Sequence, residues 1–180
     1  MLRAALISLG LIASSQPATA LTPVEAAAQN VQLAITLCFQ NYHQHDAIHG
    51  LFVTAGFEHS TETWADGDVL NWYAAPANTA NVLVLGEEGG TECRISTDLF
   101  GVEQALPFAR TVIDQLYSGD ILDGSPEGQN ILPGTPEADQ QSCSGFHVFA
   151  PRRLISVVVE RAGNDGTCTM DGTSQIVLRM

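Results

Sequence analysis

Four of the five histidines lie between residues 43 and 59, and they are the side chains best suited to chemistry. Imidazole is the commonest metal ligand in proteins and suits zinc and copper. His43, His45 and His49 are close enough in sequence to predict a zinc or copper site, with His59 ten residues on. The alternative is an ordinary turn between two helices, in which Asp46 caps the second helix and leaves the first two histidines in the loop. Both hypotheses stay open.

Other catalytic and ion-binding patterns are weak. Residues 163–166 read Gly-Asn-Asp-Gly, whose oxygens suit calcium, but the ligand series of an EF-hand is missing and the same residues favour a tight turn. Residues 142–145 do not match the nucleophile motif G-x-S-x-G, and no glycine-rich phosphate loop follows a strand. We therefore expect a non-catalytic protein. The alternative is a hydrolase whose two carboxylates meet only in the folded chain.

The four cysteines are an even set without a C-x-x-C pair. In an exported protein this predicts two disulfides rather than a redox site, and it leaves no free thiol as a nucleophile. Cys38 lies on the apolar stripe of the first helix, and Cys93 shares a strand face with Ile95. We predict that Cys38 bonds Cys93 and that Cys143 bonds Cys168, with the other two pairings as alternatives.

Residues 1–20 have the three parts of a secretory signal peptide. Arg3 supplies the positive charge, residues 4–13 are apolar, and Ala18-Thr19-Ala20 is a cleavage sequence. We expect cleavage after Ala20 and a mature domain of residues 21–180 that is periplasmic or secreted. No later apolar run reaches the length of about 20 residues that a membrane helix needs.

The chain is strongly acidic, with 7 basic and 20 acidic residues, a formal net charge of −13 and no lysine. Such a surface repels nucleic acid and anionic lipids, so neither is expected as a partner. An unknown protein or a small ligand is expected instead. The acidic stretch 120–139 is a candidate for attracting a cation, although such loops are usually just solvated.

The clearest element is a strand at 91–97 followed by a helix at 102–118. Alternation predicts the strand, and an apolar stripe of period 3.6 predicts the helix. If the helix starts near Glu103 or Gln104, Pro107 lies in its first turn, and Gly119 comes just after its end. Thr22, Pro23 and Glu25 form the start signature of an N-terminal helix.

The sequence predicts one α+β domain, because tight turns join the strands and favour an antiparallel sheet. About six to seven strands in two meanders are expected, with two N-terminal helices and one central helix packed on them. Residues 119–141 are expected to be a long surface loop. The expected function is an exported, non-catalytic binding domain. The alternatives are a metal-binding protein that uses His43, His45 and His49, and the hydrolase described above.

Overall fold

A computed structural model describes residues 20–64, 67, 69–87, 90–117, 121–123, 144–150, 153–160 and 172–180. Its α-helices are α1 Pro23–Gln40, α2 His45–Thr54 and α3 Val102–Leu116. Its strands are β1 Glu58–Thr63, β2 Val69–Ala74, β3 Asn81–Glu87, β4 Gly90–Thr97, β5 Ile121–Asp123, β6 Ser144–Ala150, β7 Arg153–Glu160 and β8 Ser174–Arg179.

The described strands form one sheet in the order β1-β2-β3-β4-β8-β7-β6-β5. Every pairing among them is antiparallel. Each half of the chain contributes a meander that runs from an edge to the centre, and β4 and β8 join the halves. This confirms the predicted α+β class, the two meanders and the packing of helices on the sheet.

A disulfide between Cys38 of α1 and Cys93 of β4 identifies the helix side of the sheet. It confirms the first predicted pairing. Cys93 lies opposite Val84 on β3 and Leu178 on β8, so these three side chains share that side. Helices α1 and α3 pack against each other and against the central strands. The buried apolar residues on the helix side of β3, β4 and β8 are Val82, Val84, Cys93, Ile95, Ile176 and Leu178.

The N-terminus of α1 forms as the sequence predicts. The Thr22 hydroxyl accepts a hydrogen bond from the Glu25 N–H at 3.3 Å, and the Glu25 carboxylate accepts one from the Thr22 N–H at 2.8 Å. Pro23 occupies the first helical position, where a missing N–H costs nothing. The chain therefore enters α1 with its first backbone donors satisfied.

Both ends of α3 differ from the predictions. Helix α3 begins at Val102, so Pro107 lies in the second turn rather than the first. Val102 and Ala105 are buried, and this packing extends the helix toward its N-terminus, while Pro107 stays on the exposed side. Helix α3 ends at Leu116, before Gly119, which lies outside the described residues.

Helix α2 begins at His45, so Asp46 is inside the first turn and is not the cap. Among the described side chains, none caps this end. A carboxylate in the first turn still interacts favourably with the helix dipole, which explains why Asp46 suits the position.

Part of the predicted loop 119–141 is a strand. Ile121–Asp123 pairs with β6, and this raises the number of described strands to eight. Its alternation is too short to detect in sequence, and the pairing comes from the neighbouring strand. Residues 1–19, the other residues of that loop, Cys143, Cys168 and residues 163–166 lie outside the described residues.

Candidate functional site: a histidine cleft beside α2

A small polar cleft opens between α2 and the first three strands on the helix side of the sheet. Its volume is about 190 Å³. We call it the histidine cleft and define it by its lining residues together with His59, which contacts one of them: Asp46, His49, His59, Asn71, Tyr73 and Val84.

The strand register brings the β residues of the cleft together. His59 of β1 lies opposite Tyr73 of β2, and Asn71 shares the Tyr73 side because strand side chains alternate. Val84 of β3 lies opposite Asn71 and is buried, so it forms the floor. The edge of the sheet therefore presents a row of polar groups above an apolar floor.

Helix α2 supplies the other wall. Ile48 and Phe52 are fully buried and fix the helix against the core. His49 follows Ile48, and Asp46 lies one turn before His49, so both line the cleft. Gly56 then takes a positive φ of 88°, which a glycine adopts without strain, and the chain turns into β1.

The two imidazoles contact each other, and a different neighbour holds each of them. The ring centroids of His49 and His59 are 4.4 Å apart in an edge-to-face arrangement. His59 Nε2 lies 3.1 Å from Asn71 Oδ1, which accepts a hydrogen bond, so Nε2 carries a proton. His49 Nδ1 lies 3.1 Å from the Tyr73 hydroxyl oxygen. When Nδ1–H donates to that oxygen, the lone pair of His49 is on Nε2.

Tyr73 joins the cleft to the core. Its side chain is buried, and its ring stacks on Phe52 with centroids 4.8 Å apart. Burial raises the pKa of the Tyr73 phenol, because removal from water disfavours the phenolate. The hydroxyl therefore stays neutral across the physiological range and keeps its hydrogen bond to His49.

The three histidines that the sequence groups lie in the turn before α2 and in the first two turns of α2. His43 lies in the turn before α2, where its ring packs edge-to-face on Tyr42 at 5.2 Å. His45 is the first residue of α2, four positions before His49, and its side chain lies outside the described part of the structure. His49 contacts His59 instead. The predicted set of His43, His45 and His49 stays a prediction.

Within the described part of the chain, no three His, Cys, Asp or Glu side chains converge as a metal site would need. The protein offers two adjacent imidazoles here, with the Asp46 carboxylate on the same wall of the cleft. This is a partial donor set with open positions, not a closed structural metal site.

The sequence did not identify Asn71 and Tyr73 as site residues, and His59 was mentioned without being included in the predicted metal site. Alternation in β1 and β2 assigns these three residues to single strand faces. The missing information was the register that joins the two strands, because a shift of one residue moves every side chain to the other face.

A second charged cluster lies on the opposite face of the sheet. The Glu92 side chain is only 4% exposed, and it accepts hydrogen bonds from Arg94 Nε at 2.5 Å and Arg179 Nε at 3.0 Å. Both arginines are about half exposed. The two arginines compensate the burial of this carboxylate, which supports a structural role for the cluster.

Comparison of the chain with protein-family models, with curated proteins and with solved structures finds no match. The long apolar helix that would be needed to cross a membrane does not occur in the described part of the chain.

Proposed function

We propose that this protein is an exported, non-catalytic domain that binds a small polar ligand in the histidine cleft. The observation that carries the proposal is the pair of contacting imidazoles, each held by its own neutral partner. Small-molecule sites use a few convergent polar groups in a largely preformed concave site to orient the ligand, and the cleft has such groups. The apolar floor at Val84 and the buried Tyr73 hold the set on rigid elements.

Export is supported by the predicted signal peptide and by the disulfide. Cys38 and Cys93 are fully buried and join α1 to β4. Structural disulfides persist in oxidising compartments and are rare in the cytosol. The bond therefore fits a periplasmic or secreted protein.

The partners of the imidazoles support binding rather than catalysis. A histidine that acts as a general base is normally oriented by a carboxylate, as in a catalytic triad. Here His49 and His59 are held by a phenol and an amide. The buried carboxylate of Glu92 is bound by two arginines, so it does not supply the paired carboxylates that the hydrolase alternative requires.

Mass spectrometry of the protein from the exported fraction tests the first half of the proposal. We expect a chain that begins at Leu21 and contains a peptide in which Cys38 and Cys93 are bonded. Ala18→Arg should block this processing, because the cleavage site takes small residues. A chain that keeps residue 1 and has Cys38 reduced would contradict export.

Thermal shift with a panel of amino acids, polyamines and divalent ions tests the second half. At least one class should raise the Tm of the protein, because a ligand that binds only the folded state stabilises it. His59→Gln should abolish that rise, whereas His43→Gln, outside the cleft, should not. Hydrolysis of ester, phosphate or glycoside substrates that depends on His49 would contradict the non-catalytic assignment.

A further inference from the structure

We propose that the histidine cleft binds a divalent transition-metal ion of the copper and zinc class through His49 and His59. This inference rests on the proposed binding function and names its ligand. The proposed donors are not the three histidines that are close in sequence. The fold brings His59 of β1 into contact with His49 of α2, and these two form the donor pair.

The hydrogen bonds leave each imidazole prepared for a metal. His59 donates from Nε2 to Asn71, so its Nδ1 has the lone pair. The His49 Nδ1 atom is hydrogen-bonded to the Tyr73 hydroxyl. In the tautomer in which Nδ1–H donates this bond, the lone pair of His49 is on Nε2. Metal-binding histidines characteristically donate their other ring N–H to an oxygen, which fixes the tautomer and raises the basicity of the ligand. The His59 ring has this arrangement, and the His49 ring has it in the tautomer that donates from Nδ1.

Neutral nitrogen donors select the metal. Imidazole favours copper, zinc and nickel over calcium and magnesium, which prefer oxygen ligands. The Asp46 carboxylate lines the same cleft and adds a negative charge that attracts a cation. The net charge of −13 attracts cations generally, so specificity must come from the two imidazoles.

The donor set indicates an exchangeable site. Two imidazoles occupy fewer than the four positions of a closed zinc site, so water or a ligand group completes the coordination. Both histidines are exposed, and an ion therefore reaches them without opening the fold.

Isothermal titration of the exported protein, prepared without a polyhistidine tag, with CuCl₂ and with ZnCl₂ tests the inference. We expect one ion per chain, with copper bound more tightly than zinc, as in the usual affinity order of divalent metals. His49→Gln and His59→Gln should each weaken binding by at least about tenfold. Loss of a residue that only hydrogen-bonds a metal ligand already costs about that much, and loss of the ligand itself should not cost less. His43→Gln is the matched control and should leave the affinity unchanged.

Two further variants test the orienting role of Asn71 and Tyr73. Asn71→Ala and Tyr73→Phe remove the oxygens that hold the imidazoles but remove no ligand, so each should weaken copper binding by roughly tenfold. Electron paramagnetic resonance of the copper complex should show nitrogen couplings from two imidazoles in the wild type and from one in His59→Gln. This signature distinguishes loss of a ligand from general destabilisation.

The outcomes separate the two proposals. If neither metal binds but another compound raises the Tm through His59, the metal inference is overturned and the binding function stands. If metals bind equally well to His49→Gln and His59→Gln, the site lies elsewhere and the inference is again overturned. If no compound or metal raises the Tm, both proposals fail.

Discussion

The centre of the sheet and its β1 edge differ in nearly every physical respect. At the centre, β4 and β8 carry buried apolar side chains on the helix side, and the disulfide joins β4 to α1. At the edge, β1 is exposed at all six residues, and its inward contact at His59 is with other polar or aromatic groups. The centre thus concentrates the apolar packing that stabilises the fold, and the edge carries polar groups of the histidine cleft.

This difference indicates which positions tolerate substitution without loss of stability. Stability falls steeply when buried groups change, whereas exposed edge positions tolerate substitution. A cleft built from α2 and β1 therefore gains polar side chains at low cost, as long as Tyr73, Ile48 and Phe52 keep it attached to the core. Four stability predictions follow from this comparison, from the largest expected effect to the smallest.

Removing the central disulfide should give the largest effect. Replacing both Cys38 and Cys93 by alanine opens a loop with a sequence separation of 55 residues. The chain-entropy model then gives a loss of about 4 kcal/mol in the free energy of unfolding. Urea denaturation measures it. Metal affinity at the cleft should change far less than it does in His59→Gln, and a comparable loss would show that centre and edge are coupled.

A cavity at the centre should cost nearly as much. Ile35 of α1 is fully buried, and Ile35→Ala should lower the free energy of unfolding by roughly 3 kcal/mol through lost burial and the space left behind. Thr61→Ala on β1 is the edge counterpart and should stay within about 0.5 kcal/mol of the wild type. Chemical denaturation compares the two. Similar losses would contradict the division.

Tyr73→Phe tests the link between the two regions. It removes the hydrogen bond to His49 and should cost about 1 kcal/mol at neutral pH. Because burial raises the pKa of this phenol in the folded protein, the phenol of the unfolded chain loses its proton at a lower pH than that of the folded chain. The contribution of Tyr73 to stability is therefore fully present below pH of about 10, the ordinary tyrosine value, and is lost as the pH rises through the folded pKa.

The free energy of unfolding measured from pH 8 to 11 checks this. The wild type should lose more stability over that range than Tyr73→Phe does. Tyr42→Phe, which leaves the cleft intact, is the matched control for alkaline loss elsewhere. A wild type and a Tyr73→Phe variant with parallel pH curves would show that the phenol is not in a buried environment.

The N-terminal cap should give the smallest effect. Thr22→Ala removes the side-chain cap of α1, and because this cap is exposed the loss should lie at the low end of the usual range, about 0.5 kcal/mol. Hydrogen bonds from the Thr22 backbone N–H and hydroxyl lower the pKa of Glu25. This contribution is present above the ordinary glutamate pKa of about 4.3 and is lost as the pH falls through the lower folded value. Acid denaturation of the wild type and of Thr22→Ala should therefore differ least at the lowest pH.

Much of the fold could be predicted because its signals are local. The capping box at Thr22, the alternation of residues 91–97 and the apolar stripe of α3 each specify an element from adjacent residues. The Cys38–Cys93 pairing followed from the inward face of each element. Helix starts were less predictable. Pro107 favours a start at residue 103 or 104, which would place it in the first turn, but the buried Val102 extends α3 toward its N-terminus.

The cleft could be predicted only in part, because its groups come from four separate elements. His49 stood out by residue type and helical position. The contacts of His49 with His59 and Tyr73 depend on the β1–β2 register and on how the buried Ile48 and Phe52 fix α2 against the core. Sequence distance favoured His43 and His45, whereas strand pairing brought His59 into contact.

The most direct test of the account is the response of the histidine rings to zinc, followed by long-range ¹H–¹⁵N correlation spectra of the tag-free exported protein. We predict that substoichiometric ZnCl₂ shifts the ring nitrogens of His49 and His59, fixes His59 with its proton on Nε2, and leaves His43 and His45 unchanged. Shifts at His43 and His45 with His59 unaffected would contradict the account and return the site to the turn before α2.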